Sequence, residues 1–120
     1  MILAFHPQFI QPILSGIKIH TFREDKNDRW RPGKIIHGAT GVRTSKYNQF
    51  FESKCISIQY IDIIIGRDTS IDVFLDDYQF NDVEIENFWK NDGFISEDDF
   101  LKWFTKNSYG KIIHWTDFKY

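Results

Sequence analysis

Apolar residues along this chain recur mainly with a period of two, interrupted by three short stretches of helical spacing. Leu3-Ala4-Phe5 predicts a short opening strand, which His6-Pro7 ends. Phe9, Ile10, Ile13 and Leu14 then follow three-four spacing, a short helix kinked at Pro12 and stopped at Gly16. A β run is predicted from Ile17, followed by a polar stretch, Glu24 to Gly33, that reads as a mobile or ligand-facing loop. Lys34 to Thr40 is the next strand, with Gly38 marking a bulge, and Gly41 to Tyr47 is a basic loop. Lys54 to Ile65 predicts one long strand whose alternation changes phase near Tyr60, the mark of a bend. Ser70 to Leu75 is a further strand, with an extended return over Tyr78 to Phe80 after the Asp76-Asp77 turn.

The remaining two helices lie late in the chain. Val83 to Trp89 is one. The other is capped by Ser96, with Asp99 in its third position, and presents Phe100, Leu101, Trp103 and Phe104 on one face before ending near Thr105. Glu97, Asp98 and Asp99 suit the positive end of that helix, so the acidic cluster reads as a helix start rather than a metal site. Lys111 to Tyr120 closes the chain as a strand. With no repeat or linker, the 120 residues make a single domain, 1–120, of α+β class: a small, mostly β, barrel-like fold with a few short helices.

Charge sharpens this picture. The net charge is −2, yet residues 1–60 hold nine Lys and Arg against four Asp and Glu, while residues 61–120 hold six against thirteen. Such a balance argues against a protein that grips duplex DNA through many phosphates and allows a local basic patch for a small or short anionic ligand. Cys55 is the only cysteine, so no internal disulfide forms, and it reads as a buried small residue of a cytoplasmic protein. There is neither a charged-then-apolar leader nor an apolar run near 18 residues, so no membrane partner is expected. The four histidines lack metal-ligand spacing and no phosphate-cradling glycine loop is present; no metal and no cofactor are expected.

The candidate chemistry is concentrated in Ser15 to Arg23, where Lys18, His20, Thr21 and Arg23 fall within six residues of a β-favouring run. The spacing Gly16-x-Lys18-x-x-Thr21-x-Arg23 after a short helix resembles the signature of ASCH domains, members of the PUA-like superfamily. Trp30-Arg-Pro-Gly33, Asp92-Gly-Phe94, Ser96-x-x-Asp99-Phe100, Trp103-Phe104 and the terminal Ile113-His-Trp-Thr116 are similar to further segments of that family. The resemblance implies a PUA-like β-barrel with a cleft beside the motif strand and an RNA-related role. One bacterial group of the family removes the acetyl group of N4-acetylcytidine with a lysine, a threonine and an acidic residue. Lys18 and Thr21 match the first two, and Asp92 is the best match for the third, with Glu86 and Glu97 behind it. An aspartate there is one methylene shorter than that group's glutamate.

Three functions follow as expectations. The first is a domain that binds RNA or a modified nucleoside in a cleft on residues 16–23. Lys18, Arg23, Arg43 and Lys46 would contact phosphates, Trp30 or Tyr47 would stack on a base, and His20 would donate to the ligand. The second is an amidohydrolase of N4-acylated cytidine, in which Lys18 of lowered pKa serves as base for the Thr21 hydroxyl and Asp92 orients or protonates. The third is a non-catalytic protein-interaction domain. Regular strand geometry sends Lys18 and Thr21 to opposite faces, so their cooperation requires a bulge, or a Lys18 still in the turn after Gly16.

Overall fold

Isoleucine-rich alternation builds the centre of the fold, as the computed structural model of residues 1–120 describes it. A five-stranded antiparallel sheet has the order β2-β8-β5-β6-β7, from β2 (His20–Arg23), β5 (Ser57–Ile65), β6 (Ile71–Leu75), β7 (Tyr78–Gln79) and β8 (Ser108–His114). A second sheet, β1-β3-β4, consists of β1 (Ile2–Ala4), β3 (Ile35–Thr40) and β4 (Asn48–Lys54), with β1 parallel to β3 and β4 antiparallel to it. Ile61, Ile63, Val73, Ile112 and Ile113 bury their side chains in one core together with Ile36, Phe88 and Phe100. The two sheets do not hydrogen-bond into one closed ring; the fold is α+β, mostly strands in two sheets.

Three helices are short: α1 (Ile10–Leu14), preceded by a 3-10 turn at Pro7–Phe9, α2 (Asp82–Asn91) and α3 (Glu97–Trp103). Asn81 and Glu84 form a reciprocal capping box at the start of α2, and the Ser96 hydroxyl accepts the Asp99 amide at the start of α3. No helix is long and apolar enough to cross a membrane.

Several expectations are corrected here. β2 begins at His20, three residues later than Ile17, because Ile17 and Lys18 both donate their amides back to Pro12 O and extend the helix exit. The strand expected from Lys54 to Ile65 begins only at Ser57: Lys54 ends β4, which pairs with β3, and Cys55-Ile56 connects β4 to β5. Cys55 is buried in that connection. No bend occurs at Tyr60, where β5 pairs with β8 in unbroken register from Ser57 to Ile63; the register shift lies at Gly38/Ala39. The closing strand stops at His114, and α3 ends at Trp103.

The loop from Glu24 to Gly33 is pinned rather than free. The buried Lys111 amine donates to Asp25 Oδ2 (2.8 Å), Asp28 Oδ1 (2.5 Å) and Trp30 O (3.1 Å). Asp25 also accepts the Arg29 and Trp30 amides. Burial pulls the Lys111 pKa down, but the two carboxylates outweigh it and hold the amine above the usual lysine value.

A lysine pocket at the end of helix α2

The site is built where two chain ends of secondary structure meet. Helix α2 terminates in a Schellman motif: Gly93 N donates to Lys90 O, Phe94 N donates to Trp89 O, and Gly93 takes φ 93°. Asp92 is therefore the C-cap, and its carbonyl is one of the acceptors that a helix end leaves unpaired. Lys18 supplies the missing donor. Its Nζ lies 2.5 Å from Asp92 O and 3.3 Å from Asp92 Oδ1, a cation at the negative end of the helix dipole. A Cβ on Gly93 would stand 3.0 Å from Lys18 Cβ and Cδ, so the glycine also makes room for the lysine stem.

Lys18 is only 1% exposed. Desolvation lowers its pKa to about 8, with the Asp92 charge opposing the shift. Its Nζ sits 4.6 Å from the centroid of the Phe9 ring. Of the three donors of an ammonium group, Asp92 takes two, which leaves one without a hydrogen-bond acceptor.

Lys18, Thr21, Arg23 and Asp92 line one cavity of about 160 Å³, walled by Phe5, Phe9, Phe22, Phe94, Trp103 and Phe104. Within those walls Phe9 meets Phe94 and Trp103 edge-on, at 5.5 and 5.3 Å. The volume is below the range of pockets that enclose drug-sized ligands, so it admits one small planar group rather than a helix of nucleic acid. Because Lys18 precedes β2 in the non-strand exit from α1, strand alternation does not separate it from Thr21. No hydrogen bond joins Thr21 Oγ1 to either Lys18 or Asp92; Thr21 meets that pair only as a wall of the cavity.

Behind the cavity lies a buried relay. His20 Nδ1–H donates to Asp92 Oδ1 (3.0 Å), and burial pushes the His20 pKa below the ordinary histidine value. The ring is therefore neutral and its Nε2 accepts the Tyr120 hydroxyl (2.6 Å), whose oxygen in turn accepts from Asn91 Nδ2 (3.1 Å). The His20 ring stacks on Phe88 at 5.6 Å. His114 donates from Nε2 to Gln59 Oε1 at 2.8 Å, and its Nδ1 has no partner. Desolvation lowers its pKa to about 3.

The candidate residues thus divide. Lys18, Thr21, Arg23 and Asp92 come together. His20 is fully buried and bonds Asp92 and Tyr120, so it does not donate to a ligand as expected; β2 alternation turns it inward. Trp30 is 6% exposed, a core residue rather than a stacking surface. Arg43, Lys46 and Tyr47 are exposed and stand outside the Lys18 cavity. Glu86 pairs with Lys90 on the surface of α2, and Glu97 borders a separate depression with Asp82, so Asp92 alone is the acidic partner of Lys18. Helical spacing places Phe9, Trp103 and Phe104 on helix faces, but nothing local shows that they wall one cavity or that Tyr120 reaches His20.

The chain matches no known family, no characterised protein and no solved structure.

Proposed function

We propose that the chain is an ASCH-like domain of PUA-like architecture that takes the base of a modified nucleoside, free or in RNA, into the Lys18 cavity. The observation that carries this reading is the convergence of a buried amine, a carboxylate and a hydroxyl on one small cavity with aromatic walls. A pyrimidine ring would lie edge-to-face against Phe9 and Phe94, and its carbonyl would accept the free N–H of Lys18. Equilibrium binding of cytidine and N4-acetylcytidine tests it. Saturable binding that weakens at least tenfold in Lys18→Met is expected; equal affinity in the two proteins would overturn it.

One observation favours a catalytic extension, the lowering of the Lys18 pKa to about 8 beside Thr21. Neutral Lys18 would take the Thr21 proton as Oγ1 attacks the acetyl carbon of N4-acetylcytidine. The resulting ammonium would return that proton to N4 as the C–N bond breaks, and water would then release acetate from the threonine ester. Arg23 would hold the oxyanion. Chromatography of the reaction should show cytidine formed at a rate that rises through pH 8 and is lost in Lys18→Ala and Thr21→Val. Binding without any cytidine formed would leave the domain a reader rather than a hydrolase.

A further inference from the structure

The Lys18 cavity has a neighbour. Arg23 and Ala4 line it and also line a second, wider groove of about 680 Å³, so the two spaces share a wall. Arg29, Arg43 and Tyr47 stand in this groove, contributed by the loop before β3 and the loop after it. Three guanidinium groups therefore border one groove, against a single carboxylate, Asp25. That carboxylate is already committed to Lys111 and to the Arg29 and Trp30 amides. Two of the arginines, 29 and 43, are exposed and have no carboxylate partner of their own. Arg43 also occupies the left-handed region at φ 65°, a conformation that favours glycine. Arg23 sits at the junction, held by a hydrogen bond from Nη2 to Ala4 O and by the face of the Phe5 ring, 5.1 Å away.

From this we infer that the groove is a phosphodiester subsite: it takes the sugar–phosphate backbone of a single strand whose base enters the Lys18 cavity. Guanidinium groups match phosphate oxygens with paired donors, and Arg23 lies where the phosphate nearest the inserted base would pass. Tyr47 offers a ring on which a flanking base stacks. A narrow cavity beside a wide cationic groove, with Arg23 in the wall of both, suits an oligonucleotide better than a free nucleoside, which would leave the groove unused. The inference rests on the base-binding reading above for the occupant of the cavity, but the groove's charge stands without it.

The test uses the intact chain and three probes: cytidine, the single-stranded oligonucleotide UUCUU, and an oligomer of four abasic sugar phosphates. UUCUU is expected to bind at least tenfold more tightly than cytidine. Three neutralised phosphates predict a slope of log K against log salt of about −2, and removal of two contacts predicts about −0.7. In the double variant Arg29→Gln/Arg43→Gln the UUCUU advantage should fall to within threefold, while cytidine affinity and the thermal melt stay unchanged. The abasic oligomer should bind the native chain and not the double variant. Binding of the abasic oligomer without binding of cytidine would sink the base-pocket reading and leave the groove assignment standing. The groove assignment is overturned if cytidine binds and the abasic oligomer does not, or if the double variant keeps its UUCUU affinity and salt slope. It is also overturned if a hexaglutamate peptide competes as well as UUCUU.

Discussion

Lys18 carries the account at the scale of single residues. A fully desolvated ammonium held against a carboxylate gains little net stability, but removing one partner leaves the other charge buried and uncompensated. Lys18→Met is therefore expected to lower unfolding stability at pH 7 by about 3 kcal/mol in urea titrations. The sign of the pH dependence follows from the direction of the shift. Since the folded pKa is lowered from 10.5 to about 8, the unfolded chain holds a proton between those values that the folded chain has lost. Stability relative to Lys18→Met should then rise with pH from about 8 upward. At acid pH the buried histidines act in the same sense. His114 at about 3 and His20, also lowered, stay neutral in the fold while the unfolded chain protonates near 6.5. The stability they confer is complete above pH 6.5 and lost as pH falls toward 3. Stability measured between pH 7 and 4 should fall less in His114→Gln than in the native chain.

At the scale of elements, the site depends on how α2 ends and where β2 begins. Gly93→Ala would force a side chain into φ 93° and against the Lys18 stem. A loss of about 1–3 kcal/mol in unfolding stability is expected, together with weaker nucleoside binding, since the displaced amine no longer meets Asp92. Retention of full affinity in a destabilised variant would detach Gly93 from the site. Local signals made much of this visible beforehand. The Ser96 cap and the alternating Ile71, Val73 and Leu75 announce their elements in a few adjacent residues, while α2 runs two residues past the expected end at Trp89. What stayed hidden depends on distant partners. The start of β2 is set by amides reaching back to Pro12, and the burial of His20 by Tyr120, a hundred positions away. Asn48 to Lys54 escaped notice because its polar sequence only becomes a strand by pairing with β3.

The whole molecule brings a basic first half and an acidic second half together around one site. β2 from the first half pairs with β8 from the second, and Lys18 crosses to the end of α2. A second crossing, Lys111 to Asp25 and Asp28, fixes the loop that carries Arg29. Lys111→Met leaves the Asp25 carboxylate with only the Arg29 and Trp30 amides and should cost about 3 kcal/mol of stability, while also weakening oligonucleotide binding through the loosened loop. Composition showed the charge asymmetry, but only the topology shows that the asymmetry closes across two buried lysines.

A desolvated Lys18 amine forms the wall of the ligand cavity. The most direct measurement is the 15N resonance of Lys18 Nζ, followed against pH and against added N4-acetylcytidine. The account predicts titration near pH 8, well below the other lysines, and a saturable shift of this resonance on ligand addition. Titration at the ordinary lysine value, with no response to ligand, would contradict it.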